Sequence, residues 1–364
     1  MKLAIGILVF VLTLAFSNAA FLLAGSQTSS SSNVGLTVFS NENGNLHQLY
    51  QNSSQSTGDM PTYMALSFDQ KYLYLTNEVD NGQLVSFEIR RHGNNSIEMI
   101  SLGKAPTNSK GPVHVAVTKD NRFVVVASYS VGSVTVMGVD NKGFAKNLVD
   151  HVEFSGGSHV VPGRQDGPHA HCIALSPDNN FLFVTDLGND KVMQFKFDIA
   201  TGKLSPNNPA FVSVRPGALP RHMAFHPNGK YLYLDTEQSN ELIRYSYNST
   251  TGTLQQLNKV KTTKTSGIFS AAVHVTKNGR YVLISNRYGQ QDSIAVYSSN
   301  LKLVGNYPTV VGPRDFTIAN DIVFVAGQDA NGIDTFRLQS NGQLEHLAIT
   351  QPFISKPQVL LPLN

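Results

Sequence analysis

Residues 167 to 190 read "GPHAHCIALSPDNNFLFVTDLGND", and the two histidines near its start, His169 and His171, enter what is otherwise a β-strand pattern. Side chains at i and i+2 of a strand point to the same face, so the pair would look into one space. Imidazole moves protons near neutral pH and also binds metals. A metal site needs three or four ligands, whereas the residues that recur at equivalent places further along are Arg221, Glu237, Arg287 and Arg314. Guanidinium groups repel cations and pair with carboxylate or phosphate. The set therefore reads as proton transfer and anion binding without a metal or other cofactor.

The elements that bring these residues together are visible as an internal repeat. "LSFDQKYLYLTNEVDNGQLVSFEI" at Leu66, "VTKDNRFVVVASYSVGSVTVMGV" at Val117, "LSPDNNFLFVTDLGNDKVMQFKF" at Leu175, "FHPNGKYLYLDTEQSNELIRYSY" at Phe225 and "VTKNGRYVLISNRYGQQDSIAVY" at Val275 share one plan. Each ends a strand, turns through an Asp/Asn/Gly-rich tetrapeptide, runs a second strand, turns, and begins a third. The Asp or Asn of the first turn stands at 69, 120, 178, 228 and 278. A shorter copy starts at Ile318, and "VGLTVFSNENGNL" at Val34 supplies a seventh third strand. Such a period of four antiparallel strands predicts propeller blades: an all-β, seven-bladed β-propeller over residues 21–364 as a single domain. The copy at Val34 lacks its own first strand, which "KPQVLLPL" from Lys356 provides, with "FLLAGSQ" from Phe21 as second strand. One blade built from both termini would close the ring and leave no open edge.

In a propeller the innermost strands line a channel, and antiparallel pairing puts the start of each first strand beside the end of each second strand. Counting from the turn residue, the first-strand starts are Thr62, Val113, His171, Arg221, Ala271, Arg314 and Gln358. The positions just past the second strands are Glu78, Tyr129, Leu187, Glu237, Arg287 and Gln328. One mouth thus gathers the candidate catalytic residues His171, Arg221, Glu237 and Arg287. Candidate substrate-binding residues are His169, His222, His274, Asn286, Arg314 and Gln328. Several arginines with one Glu and one His suit an anionic small molecule and the opening or closing of an ester-like ring: a carboxylate or imidazole moves a proton while arginine stabilises charge developing on oxygen.

Composition excludes other classes. With 41% apolar residues the chain can bury a large core, and with a formal charge of +3 and no run of five Lys or Arg it carries no footprint for nucleic acid. The single cysteine, Cys172, lies in an apolar strand, so neither a disulfide nor a nucleophile is expected. Lys2, the apolar run from Leu3 to Phe16 and the small residues of "SNAA" predict a secretory signal peptide over residues 1–20. The alternative, an uncleaved anchor prolonged by "AAFLLAG", conflicts with the need for Phe21 onward as a blade strand. Export without stable membrane association is expected, to the cell exterior or an endomembrane lumen. The sequons at Asn52, Asn94 and Asn248 would then be glycosylation acceptors.

At these residues the chain resembles the lactonase family of seven-bladed propellers, which includes bacterial propeller-type 6-phosphogluconolactonases and fungal carboxy-muconate cyclases. The resemblance rests on "GPHAHCIALSPDNNFLFVTDLGNDKVMQFKFD", "LPRHMAFHPNGKYLYLDTEQSNELIRY", "SAAVHVTKNGRYVLISNRYGQQDSIAVY" and "GPRDFTIANDIVFVAGQDANGIDTF". It implies a metal-free enzyme acting on a lactone or its ring-opened acid. It further implies functional roles for His169 or His171 and for Arg221, Glu237 and Arg287. Members serving pentose-phosphate metabolism are cytosolic, which sets this chain's predicted export apart. Three readings follow: a lactonase acting on an anionic sugar lactone, a muconate-type lactonising cyclase, or an exported propeller that binds a ligand without turning it over.

Overall fold

The computed structural model describes residues 21–28, 33–93, 96–263, 267–350 and 354–364; the predicted signal peptide (1–20) and Asn94 lie outside them. Runs of six to eleven residues rich in apolar β-branched and aromatic side chains, separated by Gly/Asn/Asp turns, form the strands, and inner strands such as Phe123–Ser128 and Ile322–Gly327 are buried throughout. Seven antiparallel sheets of four strands result. Blades 1 to 6 occupy residues 61–106, 112–153, 170–213, 220–261, 269–308 and 313–350. Blade 7 is composite, with the order Pro357–Leu363, Phe21–Ser26, Val34–Glu42, Asn45–Ser53. Each innermost strand packs on the innermost strand of the next blade, and Pro357–Leu363 joins blade 6 to blade 1. The ring is therefore a closed seven-bladed β-propeller sealed by both termini. Its core lies between blades, in seven apolar clusters such as that of Leu23, Val38, Leu75, Val85 and Val359.

A bulge at the head of every innermost strand positions the site. In blade 1 Pro61 pairs with Asn77 and Tyr63 with Thr76, leaving Thr62 outside the ladder. The same slip releases Val113, His171, Arg314 and Gln358. In blades 4 and 5 it frees two residues, Arg221–His222 and Ala271–Ala272. An extra residue in one strand bends it and re-aims its side chain, here at the channel. The residue before the head proline is left-handed at Met60, Leu219 and Lys356, and also at Gly111 and Gly312, where glycine adopts that conformation without a Cβ penalty.

Each bulge leaves a backbone N–H without a ladder partner, and a side-chain oxygen of the second strand takes it up in four blades. Thr76 Oγ1 accepts from Tyr63 N (3.2 Å), Thr185 Oγ1 from Cys172 N (2.9 Å), Ser285 Oγ from Ala272 N (3.1 Å) and Asp235 Oδ1 from His222 N (2.6 Å). The buried Thr185 hydroxyl also donates to Arg221 O at 2.7 Å, tying blade 3 to the bulge of blade 4. Thr185→Ala should therefore cost about 1–3 kcal/mol, the usual penalty of an orphaned buried group. Thr185→Ser should recover most of it. Urea unfolding of the three proteins checks this; equal midpoints for wild type and Thr185→Ala would mean the hydroxyl does not hold the bulge.

Candidate functional site

The bulged heads and second-strand ends converge on a cavity of about 270 Å³ lined by Glu78, Val113, Tyr129, Arg164, His171, Arg221, Glu237, Arg287, Tyr288 and Arg314. That volume suits a small metabolite, lying just below the range of about 300–1,000 Å³ usual for drug-sized ligands. A larger depression of about 980 Å³ between blades 5 and 6 is lined by turn and strand-end residues such as Lys277, Arg280, Asp321 and Glu345. It gathers none of the buried ionisable groups that mark the mouth.

Glu237 is the centre of the mouth. Its Oε1 accepts from Arg164 Nη2 at 2.8 Å, and its Oε2 lies 3.2 Å from Arg221 Nε and 3.5 Å from Arg287 Nη2. Burial alone would raise the pKa of this carboxyl, but Arg287, Arg221 and Arg164 together hold it below the ordinary glutamate value. Arg221 is locked in place: it is 2% exposed and its Nη1 donates to Ala271 O. Arg287 donates from Nη1 to the Tyr288 hydroxyl (3.3 Å), lies over that ring at 4.8 Å, and keeps a buried Nε without a partner among the described residues. Tyr288 itself is left-handed at φ 67°, an uncommon backbone state for a bulky residue. Four guanidiniums face two carboxylates in the lining, so the mouth carries surplus positive charge.

His171 lines this cavity, buried and with Nδ1 unpartnered among the described residues. Burial and the nearby Arg221 and Arg314 push its pKa well below the ordinary imidazole value, so the ring is neutral. Beneath it the channel is nearly filled. His222 meets His171 edge-on (5.3 Å between centroids), His114 meets His222 (5.6 Å), and Tyr63 stacks on His114 (3.9 Å). Burial holds His222 neutral and lowers His114 to about 3. Asp235, bound to His222 N, is raised by burial to about 7.

The structure thus brings His171, Arg221, Glu237, Arg287 and Arg314 into one lining, with His222 at the channel floor. It separates the others. His169 stacks on Tyr129 (4.3 Å), with Nδ1 2.8 Å from Tyr129 O, and so buttresses the wall. His274 pairs with Asp315 at 3.1 Å, and Asn286 is buried against the Ser270 hydroxyl. Gln328 donates its backbone N–H to Gly312 O and does not line the cavity. Cys172 is buried with Sγ 3.4 Å from His114 Nε2, and burial pushes its thiol up to about 12. Among the described residues no group of three or more His, Cys, Asp or Glu side chains is placed to hold a metal ion.

Arg164 was not singled out by the sequence reading. It sits on the connection between blades 2 and 3, residues 154–169. The signal was spacing: 58 residues separate Asp120 from Asp178, against 50 or 51 between the other neighbouring turn residues. The connection returns to the strand by a close approach, since a Cβ on Gly188 would sit 1.9 Å from Gly167 O. Gln165, fully buried, anchors it by donating to Leu187 O (2.9 Å) and accepting from Val161 N (3.1 Å).

A family description, lactonase with a 7-bladed β-propeller, matches residues 21–358. A 6-phosphogluconolactonase from Formosa agariphila is 30% identical over 299 residues, 79% of this chain and 84% of that protein. One from Bacillus subtilis is 36% identical over 168 residues, 46% of this chain and 45% of its own length. The solved structure of a periplasmic gluconolactonase from Pseudomonas aeruginosa superposes with a TM-score of 0.83 at 26% identity, covering 94% of this chain and 98% of that one.

The buried neutral histidines give the fold a defined response to acid. Their folded pKa values are depressed, so below about 6.5 the unfolded chain binds protons that the native state refuses, and stability falls as pH drops. The urea midpoint should be lower at pH 5 than at pH 7.5, and His114→Phe should narrow the difference. Asp235, whose raised pKa acts in the opposite direction over the same range, offsets part of this loss; a difference that His114→Phe leaves unchanged would show that its ring protonates in place.

Proposed function

The chain belongs to the lactonase family of seven-bladed β-propellers, and on that premise we propose that its mouth hydrolyses an anionic sugar lactone, a 6-phosphogluconolactonase-like ester hydrolysis, using side chains alone. The observation that carries the reading is a buried carboxylate, Glu237, set among three arginines beside a neutral imidazole in a lining of surplus positive charge. Glu237 activates water, whose oxygen adds to the lactone carbonyl. Arg287, with its unpartnered Nε, and Arg314 stabilise the oxyanion that forms. The ring C–O bond then breaks, and the proton taken from water returns to the ring oxygen through His171 or Glu237, giving the open hydroxy acid. Arg221, tied to Ala271 O, holds Glu237 in position and does not reach for substrate. The donor set supports a metal-free reading, because the carboxylate already faces three guanidinium cations.

Lactone formation from the hydroxy acid uses the same groups in reverse, so assays in both directions establish which one the protein serves. The leader-like residues 1–20, together with the similarity to a protein described as periplasmic, support a single propeller domain, 21–364, acting after export.

Purified protein should hydrolyse 6-phosphogluconolactone or a related acidic lactone. Glu237→Gln should lower kcat by about 10²–10⁴ with KM little changed, and Arg287→Ala should lower kcat by about 10²–10³ and raise KM. Hydrolysis by Glu237→Gln at the parent rate would overturn the mechanism, and a protein that binds such lactones without turning them over would be a binding propeller.

A further inference from the structure

The three guanidiniums around Glu237 are not equivalent. Arg221 is 2% exposed and donates to Ala271 O, and Arg287 is 5% exposed and engages Tyr288. The Arg164 side chain, by contrast, is 37% exposed and reaches in from a connection outside the blades. Its backbone is fixed, with Arg164 N donating to Val161 O at 3.1 Å and Gln165 buried next to it. The side chain is therefore the one cation of the three that can change partner without disturbing the ring. It also makes the shortest contact to Glu237, at 2.8 Å.

That contact poses a chemical problem for the reading above. A carboxylate stabilised by three cations is a weak base, and general-base catalysis is most effective when the base titrates near the working pH. We propose that Arg164 selects anionic lactones by exchanging partners: the acidic group of the incoming substrate draws its guanidinium away from Glu237 Oε1, so that one event binds the substrate's charge and frees the base. The inference rests on the lactonase reading of this mouth and adds to it the residue that recognises the charge. With Arg164 displaced, Glu237 still faces Arg221 and Arg287, with Arg314 nearby and with Asp235 and Glu78 as the neighbouring carboxyls; His171 stays neutral. The net loss of one cation raises its proton affinity towards that of an ordinary carboxylate. A neutral lactone offers Arg164 no competing anion and leaves Glu237 held.

The test compares wild type, Arg164→Gln and Arg164→Lys on glucono-1,5-lactone and its 6-phosphate. In Arg164→Gln the ratio of kcat/KM for the phosphorylated over the neutral lactone should fall at least about tenfold, the scale of one lost charge-assisted contact. Arg164→Lys should recover part of it. The acidic limb of kcat/KM on the neutral lactone should also move to higher pH in Arg164→Gln, because Glu237 has lost one of its cations. A ratio within about twofold of wild type, or an acidic limb that does not move, overturns the proposal. If wild type hydrolyses neither lactone, the catalytic reading fails by itself. Calorimetric binding of 6-phosphogluconate against gluconate then reads the selectivity directly: loss of the preference in Arg164→Gln supports partner exchange, and an unchanged preference overturns it.

Discussion

The site depends on one extra residue at the head of each innermost strand. In a regular strand, side chains alternate between faces with a period of two, and in a propeller blade both faces are covered by neighbouring blades. A residue at the channel end would then be buried between blades with nothing to act on. The bulge breaks that alternation at one point, so that His171, Arg221 and Arg314 leave the ladder and face the axis. It has a cost, an unpaired N–H in a buried place, and the oxygens of Thr76, Thr185, Asp235 and Ser285 offset it. Positioning of the functional side chains and satisfaction of the backbone are thus one local solution, repeated around the ring.

Closing the ring with both termini protects this arrangement. Each innermost strand is held between two others, and Pro357–Leu363 completes the circle against blades 6 and 1. The mouth can then concentrate like charges that an open sheet would splay apart. Burying the guanidiniums of Arg221 and Arg287 with a carboxylate, and setting Arg164 and Arg314 beside them, is expensive, and such clusters are weak contributors to stability. Under the proposed function the cluster is understood through its chemistry: a lining with surplus positive charge would be completed by an anionic substrate. Burial, together with that surplus, keeps His171 neutral, so the ring adds no further cation to the mouth.

How far the sequence revealed this follows from what a repeat can and cannot carry. The blade count, the shared terminal blade and the channel-facing positions were legible because self-alignment transfers register from one copy to the next. The residues it marked as strand heads are the ones the ladders leave out. Arg164 was not legible, because it lies on an insertion with no counterpart in the other copies. Asn286 was included for its nearness to a marked position, but a neighbour along a strand points to the opposite face, and Asn286 turns to Ser270; Gln328 stands at a marked position just past its second strand yet does not line the cavity. His274 was placed in the channel region correctly as to strand but lies deeper, paired with Asp315. The Thr, Asp or Ser that caps four of the bulges stands at one register position, readable beforehand as a polar residue inside an apolar strand.

Asp235 and Glu237, two residues apart at the end of one second strand, show how backbone geometry divides two like groups. Asp235 is the last inward position of the ladder; it binds His222 N, keeps Oδ2 without a partner among the described residues, and is driven by burial to titrate near 7. Glu237 lies just beyond the strand, where the chain turns and Leu219 O accepts its N–H. That turn carries it into the ring of arginines, which pull it the other way. Paired carboxyls whose environments drive them apart are the usual way for one site to hold both a base and a proton reservoir. Arg164 of the 154–169 connection adds to the division, but its larger part comes from the blades themselves. It follows from a strand ending at Thr236, with Asp235 one residue before that point, inside the sheet, and Glu237 one residue after it, at the mouth.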